Sequence, residues 1–366
     1  MLTELNQIIL IVWRENLSKN LNKKVLFWGL LLSIFLVISI ILGVSFGSTN
    51  ISPKIVYEFL GHKLFGIELR SEIPKSVGTI IWEIRFPRTI LAAITGASLA
   101  LCGVLMQCIT RNSVSDPYIL GISSGASTGA VSVIVFSGSL AGMLGIAGGA
   151  FIGSIICGVL VFMIGTRFGK TSSTTRLVLS GLALSTIFSA ITNLLIYSAE
   201  NSNQAKAAIF WIMGSLGGAK WNVILFPSIV LLLVLIISLI LSKSLDLLLF
   251  GDDSAIMLGM NVKLVKSIIL LISILLISVI VSLTGAIGFI GLVIPHIVRS
   301  ITGTNHKKLI ILSILLGAIF LILSDLIARV LFSPREIPIG IITALIGGPF
   351  FLWLIAKNDY SFGGKK

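Results

Sequence analysis

Charged side chains are scarce in this chain of 366 residues, of which Asp, Glu, Lys and Arg together make up 11%. Hydrophobic residues make up 56%, and the mean hydropathy is +1.09. A soluble protein of this length cannot hide that much apolar surface from water. The composition therefore excludes an ordinary soluble fold and makes lipid the solvent over most of the chain.

Residues for metal, disulfide or hydrolytic chemistry are also few. The three cysteines (Cys102, Cys108 and Cys157) lie inside apolar runs, and neither a Cys-x-x-Cys nor a Cys/His spacing occurs. No serine, cysteine or paired-carboxylate arrangement suggests a hydrolase. The segment GTRFGKT at 165–171 has three residues between its glycines, whereas a phosphate-binding loop has four. We therefore expect no catalytic residue, no metal site and no cofactor bound by this chain.

Apolar runs of about 20 residues, the length that crosses the hydrocarbon core, are abundant. They predict an all-α polytopic membrane protein with about ten transmembrane helices. The predicted spans are 25–47, 87–109, 118–137, 139–165, 177–199, 223–242, 264–283, 286–302, 308–332 and 337–356. We expect no cleavable signal peptide, because the first run is long enough to span and no small-residue cleavage site follows it. The ten-helix domain then occupies 25–357, between an N-terminal arm (1–24) and a C-terminal tail (358–366).

Positive charge is distributed unevenly between the predicted loops. With the N-terminus inside, inside segments hold 17 Lys and Arg, and outside segments hold 10, six of them in the single long stretch 48–88. This bias follows the positive-inside rule and places both termini, the arm and the tail in the cytoplasm. Residues 48–86 then form a long external loop. The net charge of +13 thus needs no nucleic-acid partner, since the chain has no soluble basic domain.

The predicted inside loop 243–263 contains a short helix. Gly251 ends an apolar stretch, Asp252 is expected to cap the next helix, and Gly259 to close it. About six residues remain between them, including Ala255 and its apolar neighbours. A short apolar helix outside the membrane needs a partner surface. The alternative is that it folds back on the protein's own helices, leaving its charges simply solvated.

Charges near the outer ends of the spans form a second group. Asp325 and Arg329 are four residues apart in the ninth span and can neutralise each other on one helix face. Arg85 and Arg88 flank the start of the second span. The three arginines can therefore converge on one external rim that attracts acidic groups of a partner. The alternative is that they reach lipid phosphates.

Helix ends and packing faces can also be read from the sequence. Asp116 and Pro117 are expected to cap and begin the third span. Residues 200–221 are too short and interrupted to span, which predicts a re-entrant or interfacial helix or, alternatively, an aromatic belt. Two glycine stripes predict close helix packing, and Pro295 predicts a kink. The stripes are Gly121, Gly125, Gly129 and Gly285, Gly288, Gly291.

Seven segments, in chain order, resemble the permease family of ABC importers for iron-siderophores, haem and vitamin B12, over about residues 25 to 357. They are RFPRTILAAITGASLALCGVLMQ (85–107), RNSVSDPYILGISSGA (111–126), LVLSGLALS (177–185), FWIMGSLGG (210–218), LFGDDSAIMLGM (249–260), GAIGFIGLVIPHIVR (285–299) and LSDLIARVLFSPREIPIGIITALIGGPFFLWLI (323–355). The chain departs from the family at Ser113, a position that is often proline in the family. The stretch 48–84 has no clear counterpart in the family sequences.

The resemblance implies a bacterial plasma-membrane subunit that pairs with a second copy around a central pathway. It also implies a cytoplasmic ABC ATPase dimer, which binds ATP and Mg²⁺, and an extracytoplasmic substrate-binding protein. The position of the ATPase-coupling helix matches Leu249, Gly251, Asp252, Asp253, Ala255, Leu258 and Gly259. Arg85, Arg88 and Arg329 match arginines that receive glutamates of the binding protein.

Two further roles follow from the resemblance. Val114 aligns with a hydrophobic cytoplasmic gate, and Asn193, Ser198 and Met213 are expected along the translocation path. The expected function is ATP-driven import of an iron chelate, haem or vitamin B12, with chemistry confined to the ATPase. The alternative is an ion-coupled secondary transporter, which needs an intramembrane acid. Only Asp325 lies deep enough for that role, and it has an arginine beside it. A membrane-embedded enzyme would need clustered catalytic groups.

Overall fold

The computed structural model describes residues 2–47, 49–68, 73–137, 142–167 and 174–357. Regular structure in these residues is helical, and no strand occurs in them. The helices are α1 (Leu2–Ser45), α2 (Pro53–Phe65), α3 (Lys75–Thr79), α4 (Phe86–Thr110), α5 (Ile122–Ser137), α6 (Gly142–Arg167), α7 (Thr174–Tyr197), α8 (Ser202–Ile212), α9 (Trp221–Ile240), α10 (Ser242–Leu248), α11 (Asp252–Met257), α12 (Val262–Thr284), α13 (Ile290–Thr302), α14 (His306–Val330) and α15 (Ile339–Lys357). The predicted tail 358–366 lies outside the described residues.

Seven helical stretches in the described part of the chain are long and apolar enough to cross a membrane. They are Lys23–Ser45, Lys75–Thr110, Gly145–Gly165, Thr175–Tyr197, Trp221–Ile240, Val262–Thr284 and His306–Val330. Shorter apolar helices occupy the third, eighth and tenth predicted spans, at Ile122–Phe136, Ile290–Thr302 and Ile339–Leu354. Every predicted span thus coincides with an apolar helix, whereas a count of ten crossings stays a prediction. The break predicted at 137–139 falls largely outside the described residues.

The region predicted as an external loop is largely helical, which corrects the boundary of the second span. That span was predicted to begin at 87, but the helix runs without interruption from Lys75 to Thr110. A π-helical turn at Ile80–Arg85 joins α3 to α4 just before Pro87. Proline lacks an N–H and its ring collides with the carbonyl four residues earlier, and the wider turn relieves that collision. The proline therefore marks a change of pitch in the helix.

The predicted N-terminal arm has no boundary with the first span. Residues 2–24 continue directly into the apolar part of α1, which is 44 residues long. At 1.5 Å per residue this helix measures roughly 66 Å, about twice the hydrocarbon thickness.

Helix α4 lies at the centre of the molecule. In its spanning segment 89% of the residues are buried, compared with 11% of the residues in the span of α1 and 17% in that of α7. Glycines allow α4 to lie directly against two neighbours: a Cβ at Gly96 would stand 2.1 Å from the Gly317 carbonyl oxygen of α14, and one at Gly103 2.0 Å from that of Gly291 in α13. Neither contact leaves space for a side chain, so α4, α13 and α14 pack backbone against backbone.

The first predicted glycine stripe is confirmed as a packing seam. A Cβ at Gly125 would stand 2.5 Å from the Gly153 carbonyl oxygen, and one at Gly129 2.0 Å from that of Gly149. These contacts join α5 to α6. At its beginning, Gly121 has a φ of 69° and separates α5 from the preceding short 3₁₀ turn.

The second predicted stripe is wrong. Gly285 ends α12, and Gly288 lies in the non-helical link 285–289 with open space around it. Gly285 and Gly291 do pack closely, against the Trp211 carbonyl and Pro117 respectively, but the interruption places the three residues on different structural elements, so they form no continuous seam.

Candidate functional site

The predicted coupling helix is present as α11, a six-residue helix. Gly251 precedes it with a φ of 107°, a conformation that favours glycine, and Gly259 follows it with a φ of 86°. The expectation that Asp252 caps α11 is wrong, because Gly251 occupies the N-cap position and Asp252 is the first helical residue. Its carboxylate is engaged by two cations instead.

Helix α11 has one face toward the protein and one face exposed. Ala255 is fully buried, so the alternative of folding back on the protein holds for this residue. Ile256, Met257 and Leu258 are exposed, Met257 to 87%. Exposed side chains at the end of α10 extend this apolar ridge, at Leu249 and Phe250. Asp253 and Gly259 are exposed beside it. A contiguous apolar ridge on short helices outside the predicted spans is typical of a protein-binding surface.

Asp252 ties α11 to two long helices. Its Oδ1 accepts a hydrogen bond from Nη2 of Arg111, the residue that ends α4 with a φ of 48°. Its Oδ2 accepts one from Nζ of Lys266 in α12 at 2.7 Å, and Lys266 is buried. Burial acts to raise the pKa of Asp252, but the hydrogen bonds and charges of Lys266 and Arg111 outweigh it and hold the pKa below its ordinary value.

The turn that follows α4 contains the predicted gate residue. Val114 is half-buried, and its N–H donates to Oδ1 of Asn112 at 3.0 Å. Asp116 acts as a cap, as predicted, by accepting a hydrogen bond from the Tyr118 N–H at 2.8 Å. It caps the 3₁₀ turn Pro117–Leu120, however, and α5 begins only after this turn. Arg111 therefore connects a compact turn to α11, and the gate role of Val114 stays a prediction.

The predicted path residues lie in different environments. Asn193 on α7 and Ser198 just beyond it are exposed. Met213, at the end of α8, lines a cavity of 490 Å³ that the link 285–289 and the start of α15 also border. The 11-residue α8 is too short to span, as predicted for 200–221. The structure thus brings Met213 alone of the three to this cavity.

Backbone hydrogen bonds hold the three interrupted segments around the cavity together. The Gly340 N–H of α15 donates to the Met213 carbonyl at 3.2 Å, and the Ser215 N–H donates to the Thr284 carbonyl at 2.8 Å. Non-helical backbone at membrane depth is tolerated where it is buried in protein or lines a cavity. The arrangement therefore has the character of a transport or binding site.

The three predicted rim arginines are buried, which corrects the expectation of free external cations. Nε and Nη2 of Arg88 donate to Oδ1 of Asp325 at 3.0 and 2.9 Å, and its Nη1 donates to the Glu336 carboxylate at 2.9 Å. Arg329 Nε lies 2.9 Å from the other Asp325 oxygen, so the predicted Asp325–Arg329 pair is confirmed. Asp325, only 1% exposed, neutralises two guanidinium groups, as buried charge requires.

Arg85 completes this arginine layer, defined as Arg85, Arg88 and Arg329. Its guanidinium donates to the carbonyls of Val44 and Ser45, at 3.1 and 2.8 Å, and to Thr49. Arg329 Nη2 donates to the Gly43 carbonyl at 2.7 Å. The layer therefore fastens the end of α1 to α4 and α14. Docking of a binding protein on these arginines stays a prediction.

Comparison with known proteins identifies the family. The sequence profile of the FecCD transport family matches residues 35–357. The chain belongs to this family. Its members are permease subunits of ABC importers for iron-siderophores, haem and vitamin B12. They are transport subunits, and this permease is accordingly not an enzyme.

Two curated relatives and one solved structure illustrate the similarity. The hemin transport system permease protein HmuU of Yersinia pestis is 40% identical over 282 residues, covering 76% of this chain and 84% of that protein. The cobalamin import system permease protein BtuC of Halobacterium salinarum is 37% identical over 295 residues, covering 81% and 78%. A metal-chelate type ABC transporter in an inward-facing conformation superposes with a TM-score of 0.79 at 32% identity, covering 90% and 99%.

Sequence reasoning missed Gln107 of this permease. Pro295 has no N–H to donate to the Gly291 carbonyl four residues earlier in α13. The Gln107 amide of α4 donates to that carbonyl at 3.4 Å and to the Leu292 carbonyl at 3.2 Å. Arg299 Nη2 donates in turn to Gln107 Oε1 at 3.0 Å. Pro295 was the only indication of this contact in the sequence. It predicts a carbonyl without its helical donor, but it does not indicate which side chain donates instead.

Phe289 and Glu336 were also missed. Phe289 lines the 490 Å³ cavity with a φ of 70°, unusual for a bulky residue, and a Cβ at Gly347 would stand 2.4 Å from its own Cβ. Glu336, half-exposed after α14, completes the neutralisation of Arg88. No local pattern indicates either role, because both depend on contacts between distant segments.

Proposed function

We propose that this permease is the membrane subunit of an ATP-driven importer for a metal chelate, haem or corrinoid in a bacterial plasma membrane. Ten crossing helices, cytoplasmic termini and a second copy around a shared pathway complete the proposal. The family membership supports the transport class. The observation that carries the mechanism is Asp252, which joins an exposed apolar ridge to the ends of α4 and α12.

The apolar ridge of α11 is the proposed contact for a cytoplasmic ABC ATPase dimer. Closure of that dimer on ATP displaces α11. Asp252 transmits the displacement to the turn that contains Val114 through Arg111 and to α12 through Lys266. The other end of α12 enters the link 285–289, beside the cavity. One ion-paired carboxylate therefore connects the site of energy input to both the proposed gate and the proposed path.

The cavity beside Met213 is a proposed part of the path, and Asn193 and Ser198 of the second copy are proposed to face it across the dimer. Its wall includes the apolar side chains of Met213, Phe289, Ile341 and Leu345. Such a surface offers a bulky chelate few directional contacts. Selection among cargoes then depends mainly on the extracytoplasmic binding protein, which we propose docks over the arginine layer.

Replacement of Met257 by Asp tests the ridge. A charge at this 87% exposed position should abolish co-purification of the ATPase, because it interrupts the apolar contact, while the permease still inserts. The matched control is Phe65→Asp, at a 79% exposed position on α2, which should retain the ATPase. Ala255 is a poor choice for this test, because a charge there would be buried.

Retention of the ATPase by Met257→Asp would contradict the proposed ridge. Reconstituted vesicles then separate the two transport classes. Uptake that requires ATP inside and persists when a protonophore removes the proton gradient supports the importer, whereas uptake that follows the gradient without ATP supports the ion-coupled alternative.

A further inference from the structure

An apolar groove lies between α1, α2 and α4, away from the coupling helix and the proposed path. Its volume is 550 Å³. Aliphatic and aromatic side chains from all three helices form its walls, among them Val37, Ile40, Leu60, Leu64, Phe86 and Ile90. Gly61 of α2 also lines it, so that the wall is thin at the middle of α2.

The groove lies where a membrane meets water. Its α1 residues precede the end of that helix by one to two turns, and the arginine layer begins just beyond them, at the carbonyls that Arg85 contacts. Beside it, the rings of Trp82 and Trp221 stack at 4.9 Å, and Phe86 contacts both. Tryptophans cluster at the interfaces of membrane proteins. The helix α2 therefore lies at the interface on the side of the arginine layer.

The helix α2 is too short to span, at 13 residues. Val56 and Leu60 attach it to the protein, in a small cluster with Val44 and Ile81. Other apolar residues remain uncovered, including Phe65, which is 79% exposed. A short helix that is attached on one side and leaves apolar side chains uncovered beside a membrane is expected to lie in the interface plane.

Lipid can reach the groove laterally. The α1 wall belongs to a span that is only 11% buried, and Val37 is both part of the groove and 57% exposed on that span. The groove is thus continuous with the lipid-facing surface. Lys54 lies one helical turn before Tyr57, a groove residue, and is exposed. A lipid whose tail fills the groove would place its phosphate close to this cation.

We propose that the groove binds one acyl chain of a phospholipid from the leaflet on the side of the arginine layer. The helix α2 covers the chain, and Lys54 meets the phosphate. The site gives a role to the segment 53–67, which has none in coupling or in the path. The proposal depends only on the membrane location of the chain and is independent of the cargo and of ATP.

Native mass spectrometry of the permease extracted from phospholipid nanodiscs tests this site. The wild-type chain should retain one phospholipid, and Gly61→Phe should reduce the lipid-bound fraction at least tenfold. A Cβ at Gly61 meets only the tip of Ile67, at 3.4 Å, so the ring can enter the groove without displacing the backbone. Gly148→Phe is the matched control, because Gly148 is an exposed helical glycine with no atom within 4 Å of its added Cβ. It should retain the lipid.

A wild-type measurement keeps the test valid if Gly61→Phe fails to fold. A phospholipid with a photoreactive acyl chain should label residues 37–41 and 53–67 in preference to the rest of α1 and α7. Even labelling around those spans, retention of detergent alone, or equal retention by Gly61→Phe and Gly148→Phe would each overturn the proposal. A cysteine at position 64 that crosslinks two copies of the chain would also overturn it, in favour of a protein contact.

Discussion

At the residue scale, Asp252 connects the exposed ridge by ion pairs to both the end of α4 and α12. We expect Asp252→Asn to lower ATP-driven uptake strongly while the ATPase still binds, because the ridge residues are unchanged. The variant should also lose roughly 1–3 kcal/mol of stability, the usual cost of leaving a buried polar partner such as Lys266 poorly paired. Uptake by reconstituted vesicles and thermal unfolding measure the two effects.

Asp253→Asn is the matched control, since it makes the same chemical change one residue later on an exposed side chain. It should behave as wild type. The pKa of Asp252 is lowered by folding, so its contribution is complete above the unfolded pKa near 4 and is lost as pH falls through the folded value. The stability difference between wild type and Asp252→Asn should therefore disappear in acid. A difference that does not shrink as the pH falls below 4 would contradict the ion-pair explanation.

Asp325 and Glu336 both contact Arg88, but burial separates their expected effects. Asp325→Asn leaves two buried guanidinium groups short of a counter-charge and should destabilise the permease by about 3–5 kcal/mol. Glu336→Gln, at a half-exposed carboxylate, should cost about 1 kcal/mol or less. Denaturant unfolding in detergent compares them. A stable Asp325→Asn permease that has lost transport would instead favour Asp325 as a coupling acid.

At the scale of single elements, hydropathy and glycine placement were sufficient to predict the apolar helices and α11. Both are local signals: an apolar run has a length, and flanking glycines limit a short helix. The role of Asp252 was predicted wrongly, because a capping preference is judged from neighbouring residues. Its actual partner Arg111 is 141 residues away in sequence. The helix before Pro87 was missed because its polar residues hide a continuous helix that a π-helical turn makes possible.

The hydrogen bonds that the Gln107 amide donates to carbonyls of α13 give a prediction at the same scale. Gln107→Leu should destabilise the permease by roughly 1–3 kcal/mol, because it leaves the Gly291 carbonyl without a donor in a buried site. In a Pro295→Ala background, the restored N–H can donate to that carbonyl, so the same change should cost clearly less. Thermal unfolding of the four proteins gives the coupling energy. Additive effects would show that the amide does not compensate for the proline.

At the scale of the whole molecule, pairing with a second copy was predicted only from the resemblance to the family. Composition and spacing do not reveal which helices lie outermost, since α1 and α4 are both strongly apolar but 11% and 89% buried. The arginine layer shows the same limit: its residues were identified from the sequence, but their burial depends on contacts of α4 and α14 with α1 and on Glu336.

A homodimer through α7 predicts a specific crosslink. Asn193→Cys should form a disulfide between two copies under mild oxidation, because the residue is exposed on a helix that is mostly uncovered. The native cysteines are buried and should not interfere. Val37→Cys on α1 is the control and should remain monomeric on non-reducing gels. Dimers formed only by the control would place the second copy against the wrong face, and dimers formed by neither would favour a different permease as the partner.

The glycine contacts of α4 restrict how the permease can change its opening. Gly96 and Gly103 bring the α4 backbone against α14 and α13 with no side chain between them, so a sliding motion would drive one main chain into another. These three helices should consequently travel together as one rigid block. Reorientation must then be accommodated at the interrupted joints, 285–289 among them, where the bending of a few backbone torsions replaces the slipping of whole helices.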